Sequence, residues 1–334
     1  MKKGKKIGKT IGISLLAILI IAGAAGAYAY QKLKPENHFK NVPVVNSDST
    51  KKAKASQNTK VQNGAFNILL IGSDERKGEK IGHSDSMMII HVDLNKKEYH
   101  AMSIPRDTRV HLDGYGYTKL TSVQYIKQAT EGQQQGVDAA IKAITELTGV
   151  DINYYVETNY EGLQGMVDAI GGIEMNVPFD VKLTHPWYPE NKNKVINAGV
   201  HSVDGKMVTE LVHERYSLKN GEYDRQRLQE EALVGIAKKV LQPSNVTKLP
   251  EFAKQIPNFL IASNMTTSDM LSLGLAVKDF DPAKQLQYHQ IGGEWKTMYD
   301  DILKNNNDEL IMDKAQLEQV VSQYFTNQIM EKKK

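Results

Sequence analysis

The chain has 334 residues, enough for one large domain or two ordinary ones, so core burial is not limiting. A net charge of +3 gives no basic excess of the kind that selects nucleic acid, and the lysines are scattered except at the two ends. The absence of cysteine excludes disulfides, thiolate catalysis and cysteine-ligated metals.

The chain opens with "MKKGKKIGKT", a basic tail over residues 1–10 with five lysines and no acid. Residues 11–30, "IGISLLAILIIAGAAGAYAY", carry no charge. At about 1.5 Å per residue, about 20 residues cover the roughly 30 Å hydrocarbon core of a bilayer. The basic flank places the N-terminus in the cytoplasm and everything beyond residue 30 outside. The small residues of "AGAYAY" also suit a signal-peptide cleavage site, but the length of the apolar run favours an uncleaved single-pass anchor. Residues 31–64 are polar, without a sustained hydrophobic period, and read as an extracellular linker that tethers a domain near the membrane.

From Phe66 short apolar runs begin: "FNILLIG" (66–72), "SMMIIHVDL" (86–94) and "EYHAMSI" (98–104), read as strands, the last two a hairpin through "NKKE". Helical periods follow. "GVDAAIKAITELTGV" places Val137, Ile141, Ile144 and Leu147 on one face and ends at Gly149, and "YEGLQGMVDAIGG" stops at a glycine pair. "GKMVTELVHERY" and "DRQRLQEEALVGIAKKVLQ" supply two more helices, the second with Leu228, Leu233, Ile236 and Val240 as its buried stripe. These elements predict an α/β (α+β) fold with a central mixed β-sheet flanked by helices over residues 65–293. Residues 294–334 read as a helical C-terminal extension, "DKAQLEQVVSQYF", after a polar "NNNDE" break.

Charged residues gather at the strand ends. Asp74 follows the first strand, Asp85 precedes the second, and Arg106 and Asp107 follow the third in "SIPRDT". Ends of adjacent strands converge on one rim of a sheet, the usual place for a site in such folds. Two carboxylates from different loops suit a hard divalent cation that also takes phosphate oxygens, and a guanidinium beside them suits phosphate. Taken singly, each acid reads more readily as a turn or cap residue, and "PRDT" as a turn with an internal ion pair. Downstream lie Arg215, Arg225, Arg227 and Gln229. In a helix from Asp224, Arg225 and Gln229 share a face opposite much of the apolar stripe, and Glu222, Glu230 and Glu231 stand ready to pair with the arginines. No HExxH, GxSxG, Walker or Rossmann signature competes.

Through "NILLIGSDER", "HSDSMMIIHVDLNKKEYHAMSIPRDTRV", "KLTSVQYI", "GVDINYYVETNYEGLQGMVDAIGGIEMNVP", "INAGVHSVDGK" and "HERYSLKNGEYDRQRLQEE", the chain resembles the LytR-CpsA-Psr proteins over about residues 66–292. These are membrane-anchored enzymes of Gram-positive cell-wall assembly. The resemblance implies a phosphotransferase that moves a glycopolymer, such as wall teichoic acid or capsule, from undecaprenyl pyrophosphate to peptidoglycan through a phosphodiester. It also implies Mg²⁺ (or Mn²⁺) at the pyrophosphate and an apolar pocket between sheet and helices for the polyprenyl tail. By the same resemblance Asp74 and Asp85 are the metal-associated carboxylates. Arg106, Arg215 and Arg225 contact the pyrophosphate, joined by Lys119 and Gln229, and Asp107 is an acid/base or orienting neighbour. The chain departs from the family in two places. His213 stands where many members have arginine, which points to a weaker or pH-dependent phosphate clamp, and Leu228 stands where some have arginine, with Arg227 as a possible substitute. Two other readings stay open: a polyprenyl pyrophosphate hydrolase, and a non-catalytic envelope regulator or glycopolymer-binding protein. A nucleic-acid role is disfavoured, since only the short lysine-rich N-terminus would face the cytoplasm.

Overall fold

The computed structural model describes residues 31–45 and 64–325. The anchor read over residues 11–30 and its basic flank lie outside the described residues. Among the described residues no helix is long and apolar enough to cross a membrane.

The three apolar runs form an antiparallel meander of β1 (Ala65–Ser73), β2 (Ser84–Asp93) and β3 (Glu98–Ile104). Lys97 takes a positive φ of 57° in the turn between β2 and β3. The hairpin of β4 (Arg109–Leu112) and β5 (Gly116–Lys119) leads into helices α1 (Leu120–Glu131) and α2 (Gln133–Thr148). Strand β6 (Tyr154–Asn159) pairs parallel to β1, and helix α3 (Tyr160–Ala169) follows at once. As the sequence indicates, α3 ends at Gly171–Gly172. Both adopt φ near +76°, and a Cβ at Gly172 would stand 2.9 Å from the Val203 carbonyl oxygen. Strand β7 (Ile173–Val177) pairs with β10 (Gly199–Val203), enclosing a short β8 (Val181–Lys182) and β9 (Val195–Ile196) pair. Then come α4 (Gly205–His213), α5 (Glu222–Val240), α6 (Leu249–Gln255), β11 (Ala262–Ser263), α7 (Thr267–Ala276) and β12 (Leu286–Gln290). The chain closes with the hairpin of β13 (Gly293–Asp300) and β14 (Asn305–Met312) and helix α8 (Lys314–Tyr324).

The central sheet runs β11-β6-β1-β2-β3-β12 and is mixed. Its alternation separates two layers. Leu69, Ile71, Met87, Ile89, Met102 and Ile104 point to one face, where α1, α2 and α8 cover them. Phe66, Ile68, Val92 and Tyr154 point to the other. On that second face α3, α5 and α7 help enclose a cavity of about 450 Å³ beside this smaller core.

Two stretches differ from the sequence reading. Within the presumed linker, Phe39 and Val42 are fully buried, Phe39 stacking on Phe66 at 4.7 Å between ring centres. The His38 ring lies 2.7 Å from Asp269, the Ser272 hydroxyl donates to the Leu33 carbonyl at 3.0 Å, and Val45 N–H donates to Ile152. Two well-placed apolar residues pin a segment whose average composition is polar. Likewise residues 294–325 are no helical appendage. "NNNDE" starts a strand whose pairing with β13 overrides the low strand preference of asparagine. Met312, Leu317, Val321 and Phe325 complete the core over the first face, so residue 293 marks no boundary of the fold.

Phe39→Ala is expected to destabilise the domain by about 3–5 kcal/mol. Urea unfolding of the wild type and the variant reads this directly, and a change within a few tenths would mean that residues 31–45 are a passive tether.

Candidate active site

β1 runs to Ser73, β2 starts at Ser84, β3 stops at Ile104 and β6 ends at Asn159, and their pairing brings all four ends to one rim. After β3 comes Pro105, which has no N–H to offer a neighbour. Thr108 closes the following turn by donating both its N–H (3.1 Å) and its hydroxyl (2.7 Å) to the Pro105 carbonyl. Three further bonds fix it. Leu120 N–H donates to Thr108 O, Thr121 N–H to Arg106 O and Leu310 N–H to Asp107 O, so the start of α1 and the C-terminal hairpin both hold this turn. Arg109, next along, pairs with buried Glu309 of β14.

On this frame the charges interlock. Asp85 accepts from Arg106, from Arg225 Nη1 at 3.1 Å and from the Tyr160 hydroxyl at 3.1 Å. Arg225 is only 2 % exposed. It donates Nε and Nη2 to the two oxygens of Glu222 at 2.9 Å each, and Nη2 also reaches the Asp85 carbonyl at 2.8 Å. Asp107 takes Lys119 at 2.9 Å and lies 3.7 Å from Arg106 Nε. That Nε is buried with no hydrogen-bond partner. Burial and repulsion from Arg225 lower the Arg106 pKa, whereas Glu222 raises that of Arg225 in spite of burial. The structure thus brings Asp85, Arg106, Asp107, Lys119 and Arg225 together.

The remaining expected residues ring this cluster. Asp74 is half-exposed. It accepts from His83 N–H at 2.6 Å, and although burial works against ionisation, the His83 bonds hold its pKa below the ordinary value. Arg215 is close enough to depress Arg106 electrostatically, and Glu214 anchors its loop by accepting from the N–H groups of Thr184, Arg215 and Ser217. Gln229 lines the cavity beside Asp85, and down the same wall run Leu233, Ile236 and Val240. This corrects the orientation read for α5: Gln229 lies on the apolar stripe, not opposite it, because the stripe faces a cavity that extends from the charged rim. Leu228 is buried in a separate cluster with Val208 and Leu211. Arg227 does not replace it at the site, since it pairs with Glu230 at 3.1 Å and packs over the Tyr288 ring.

His213 takes no part as a cation. Its Nε2 accepts from the Trp187 indole at 3.1 Å, its ring packs on Trp187 and Tyr160, and burial, reinforced by Arg225, lowers its pKa. A charged clamp that switches near pH 6.5 is therefore not what this position provides. Tyr160, Trp187 and Glu222 are partners that the sequence reading does not assign to the site. Of these only Glu222 carries a signal, standing three residues before Arg225 in a helix.

A model of the LytR_cpsA_psr family matches residues 34–326. This chain belongs to the LytR-CpsA-Psr family. It is 29% identical over 294 residues to the polyisoprenyl-teichoic acid–peptidoglycan teichoic acid transferase TagU of Bacillus licheniformis, covering 88% of each protein. It is 31% identical over 223 residues to the corresponding transferase TagT of Bacillus subtilis, covering 64% of this chain and 66% of that one. Biofilm regulatory protein A of Streptococcus mutans is 28% identical over 240 residues, 70% of this chain and 58% of that one. The crystal structure of B. subtilis TagV matches with a TM-score of 0.64 at 23% identity, covering 78% of this chain and 95% of that one. TagT bound to LIIa-WTA matches with a TM-score of 0.64 at 21% identity, covering 85% and 98%. The structural matches show the family fold, and with the transferases among its relatives this LytR-CpsA-Psr member is an enzyme of the transferase class.

Beneath the rim of this LytR-CpsA-Psr domain lies a buried polar relay. Gln124 of α1 accepts from the Ser84 hydroxyl at 2.6 Å and donates to Glu157, which is fully buried on β6. Gln133 also reaches Glu157, at 3.4 Å. Burial pushes the Glu157 pKa up to about 7 from an ordinary 4.5. The folded protein therefore keeps a proton that the unfolded chain has released, and this contribution to stability is full below pH 4.5 and lost as pH rises to about 7. Glu157→Gln removes that loss. The stability of the variant relative to wild type is expected to climb between pH 4.5 and 7 in paired urea titrations, and a constant difference would mean that Glu157 is ionised throughout.

Proposed function

We propose that the protein transfers a glycopolymer, such as wall teichoic acid or a capsule-like polysaccharide, from a polyprenyl diphosphate carrier to peptidoglycan through a phosphodiester. The observation that carries this reading is the apolar cavity of about 450 Å³ that reaches the sheet rim at Asp85 and Gln229, beside Arg106 and Arg225. An apolar cavity whose rim carboxylate is bonded to two guanidinium groups suits a ligand with a hydrocarbon tail and an anionic head that takes the carboxylate's place. The relatives named for acting on polyisoprenyl-teichoic acid support the same assignment.

In this reading the diphosphate binds at Arg106, whose buried Nε has no hydrogen-bond partner, with Arg225, Arg215, Lys119 and Gln229 around it. Asp107, flanked by Lys119 and Arg106, orients these cations instead of serving as the base. An acceptor sugar hydroxyl bonds to the sugar-linked phosphorus and the bridging P–O bond breaks. The hydroxyl proton passes to solvent, and polyprenyl phosphate leaves with the bonding electrons. Fixed cations stabilise the negative charge that develops on the leaving group, in a site dry enough for the effect to be large.

Asp74 and Asp85 suit a divalent cation such as Mg²⁺. They are two carboxylates at neighbouring strand ends. Both Asp85 oxygens already accept from Arg106, Arg225 and Tyr160, so an ion there would displace one of these partners, and the described residues hold no group of three protein ligands that could bind a metal. Such an ion would neutralise diphosphate charge as a Lewis acid. It would also offset the carboxylate that Arg106 now pairs with, leaving that guanidinium to the substrate. We further place the anchor over residues 11–30 in the cell membrane, with the N-terminus cytoplasmic and the domain outside. The packing of residues 31–45 supports this, because Leu33 docks on α7, whose Met270 and Leu273 line the cavity.

Arg106→Ala is expected to cut kcat by about 10²–10³, read as polymer transferred from a polyprenyl diphosphate donor to peptidoglycan. Retained transfer in a folded variant would remove Arg106 from the chemistry. Water in place of the sugar acceptor would make the protein a hydrolase, recognised by polyprenyl phosphate release without wall-bound polymer. His213→Gln, which keeps an acceptor for the Trp187 indole, is expected to leave the pH profile of transfer unchanged in shape. Loss of an inflection near pH 6.5 would show that His213 titrates in the reaction.

A further inference from the structure

The cavity is not the only opening at the rim. On the opposite side, the loop joining β1 to β2 frames an open cleft of about 560 Å³ lined by Asp74, Arg76, Glu79, Lys80, His83 and Tyr125. Tyr125 projects from α1, which covers the face of the sheet away from the cavity. Its ring lies flat on His83, with centres 4.3 Å apart and planes within 6°, and it remains 38 % exposed.

The loop is held in shape. Asp74 N–H donates to the His83 carbonyl and His83 N–H returns a bond to the Asp74 carboxylate. Arg76 N–H donates to Glu79 at 2.9 Å, and Gly82 N–H donates to Gln128 of α1 at 3.1 Å. Gly82 has to be glycine, since a Cβ there would lie 2.7 Å from the Glu75 nitrogen. A stacked aromatic pair beside carboxylates and cations, in a loop that needs no rearrangement, offers what a sugar ring uses: a flat apolar platform with hydrogen-bonding groups at its edge.

We propose that this cleft is the subsite for the acceptor, a hydroxyl-bearing glycan strand. The inference rests on the transfer reaction proposed above and takes its direction from in-line displacement. The attacking and leaving oxygens stand on opposite sides of the phosphorus. The leaving polyprenyl phosphate trails into the cavity on the α5 side, where Asp85 is part of the wall. The incoming hydroxyl therefore comes from the α1 side, past Asp74, which is part of the cleft wall.

Tyr125→Ala, made in the full chain, is expected to raise KM for uncrosslinked peptidoglycan strands about five- to tenfold while KM for the lipid-linked donor stays within about twofold, the loss of one aromatic stacking contact. Tyr125→Phe, which keeps the platform, is expected to restore the acceptor KM, and Arg76→Ala, without disturbing the stack, to raise it. Isothermal titration with an N-acetylglucosamine tetrasaccharide gives a reading that needs no catalysis: wild type binds and Tyr125→Ala binds several-fold more weakly. An unchanged acceptor KM in folded Tyr125→Ala overturns the subsite, as does a donor KM that rises in its place, which would put the donor's own sugars in the cleft. If wild type transfers no polymer, the transfer reading fails. Saccharide binding lost with Tyr125 then still establishes a glycan site, and equal binding by both proteins removes it.

Discussion

The fold around the site is organised by one buried guanidinium. Arg225 has almost no contact with water, so its charge has to be met by protein, and two carboxylates meet it: Glu222 one helical turn earlier and Asp85 from the central sheet. Removing either partner of such a pair leaves an uncompensated charge and costs about 3–5 kcal/mol. The first turn of α5 is therefore locked to the start of β2. That lock sets one wall of the cavity, because the residues following Arg225 on the same helix face line it. Asp85, the carboxylate through which the helix is fastened to the sheet, is itself part of the cavity lining.

A second constraint is charge balance. Asp85, Asp107 and Glu222 oppose Arg106, Lys119 and Arg225, so the formal charges of the interlocked cluster cancel. The diphosphate of the proposed donor would meet cations that already have partners. Binding is then an exchange of carboxylate for phosphate, not the filling of a bare positive hole. Arg106 is the group best placed for the exchange. It is more exposed than Arg225, one of its nitrogens has no hydrogen-bond partner, and burial together with the neighbouring Arg225 lowers its pKa.

Much of this was legible in the sequence because strand ends leave local marks. An apolar run broken by "PRDT" or preceded by "HSD" locates the rim without knowledge of the fold, and pairing of β1, β2 and β3 then brings Asp74, Asp85 and Arg106 together. The helix stops at Gly149 and Gly171 are equally local. What escaped depends on distant packing. The stripe of Leu233, Ile236 and Val240 looks the same whether it faces filled core or a cavity, so the side on which Gln229 lies could not be read. Glu157 sits in "YYVETN" as an isolated acid with no periodic signal, and its burial follows from α1 and α2 packing above it. Phe39 and Val42 hide in a polar average, and β14 hides behind its asparagines.

The C-terminal hairpin bears on how such a chain comes into being. The backbone of the "PRDT" turn is held by Leu310, some two hundred residues further on, and Arg109 by Glu309. Contacts of such long sequence separation form late, after the entropy of closing the intervening loop has been overcome. A chain emerging N-terminus first can form the β1-β2-β3 meander early, yet its charged turn lacks its brace until β14 is free to pair. A chain that stops short of β14 therefore carries an unbraced site, whatever the state of its sheet.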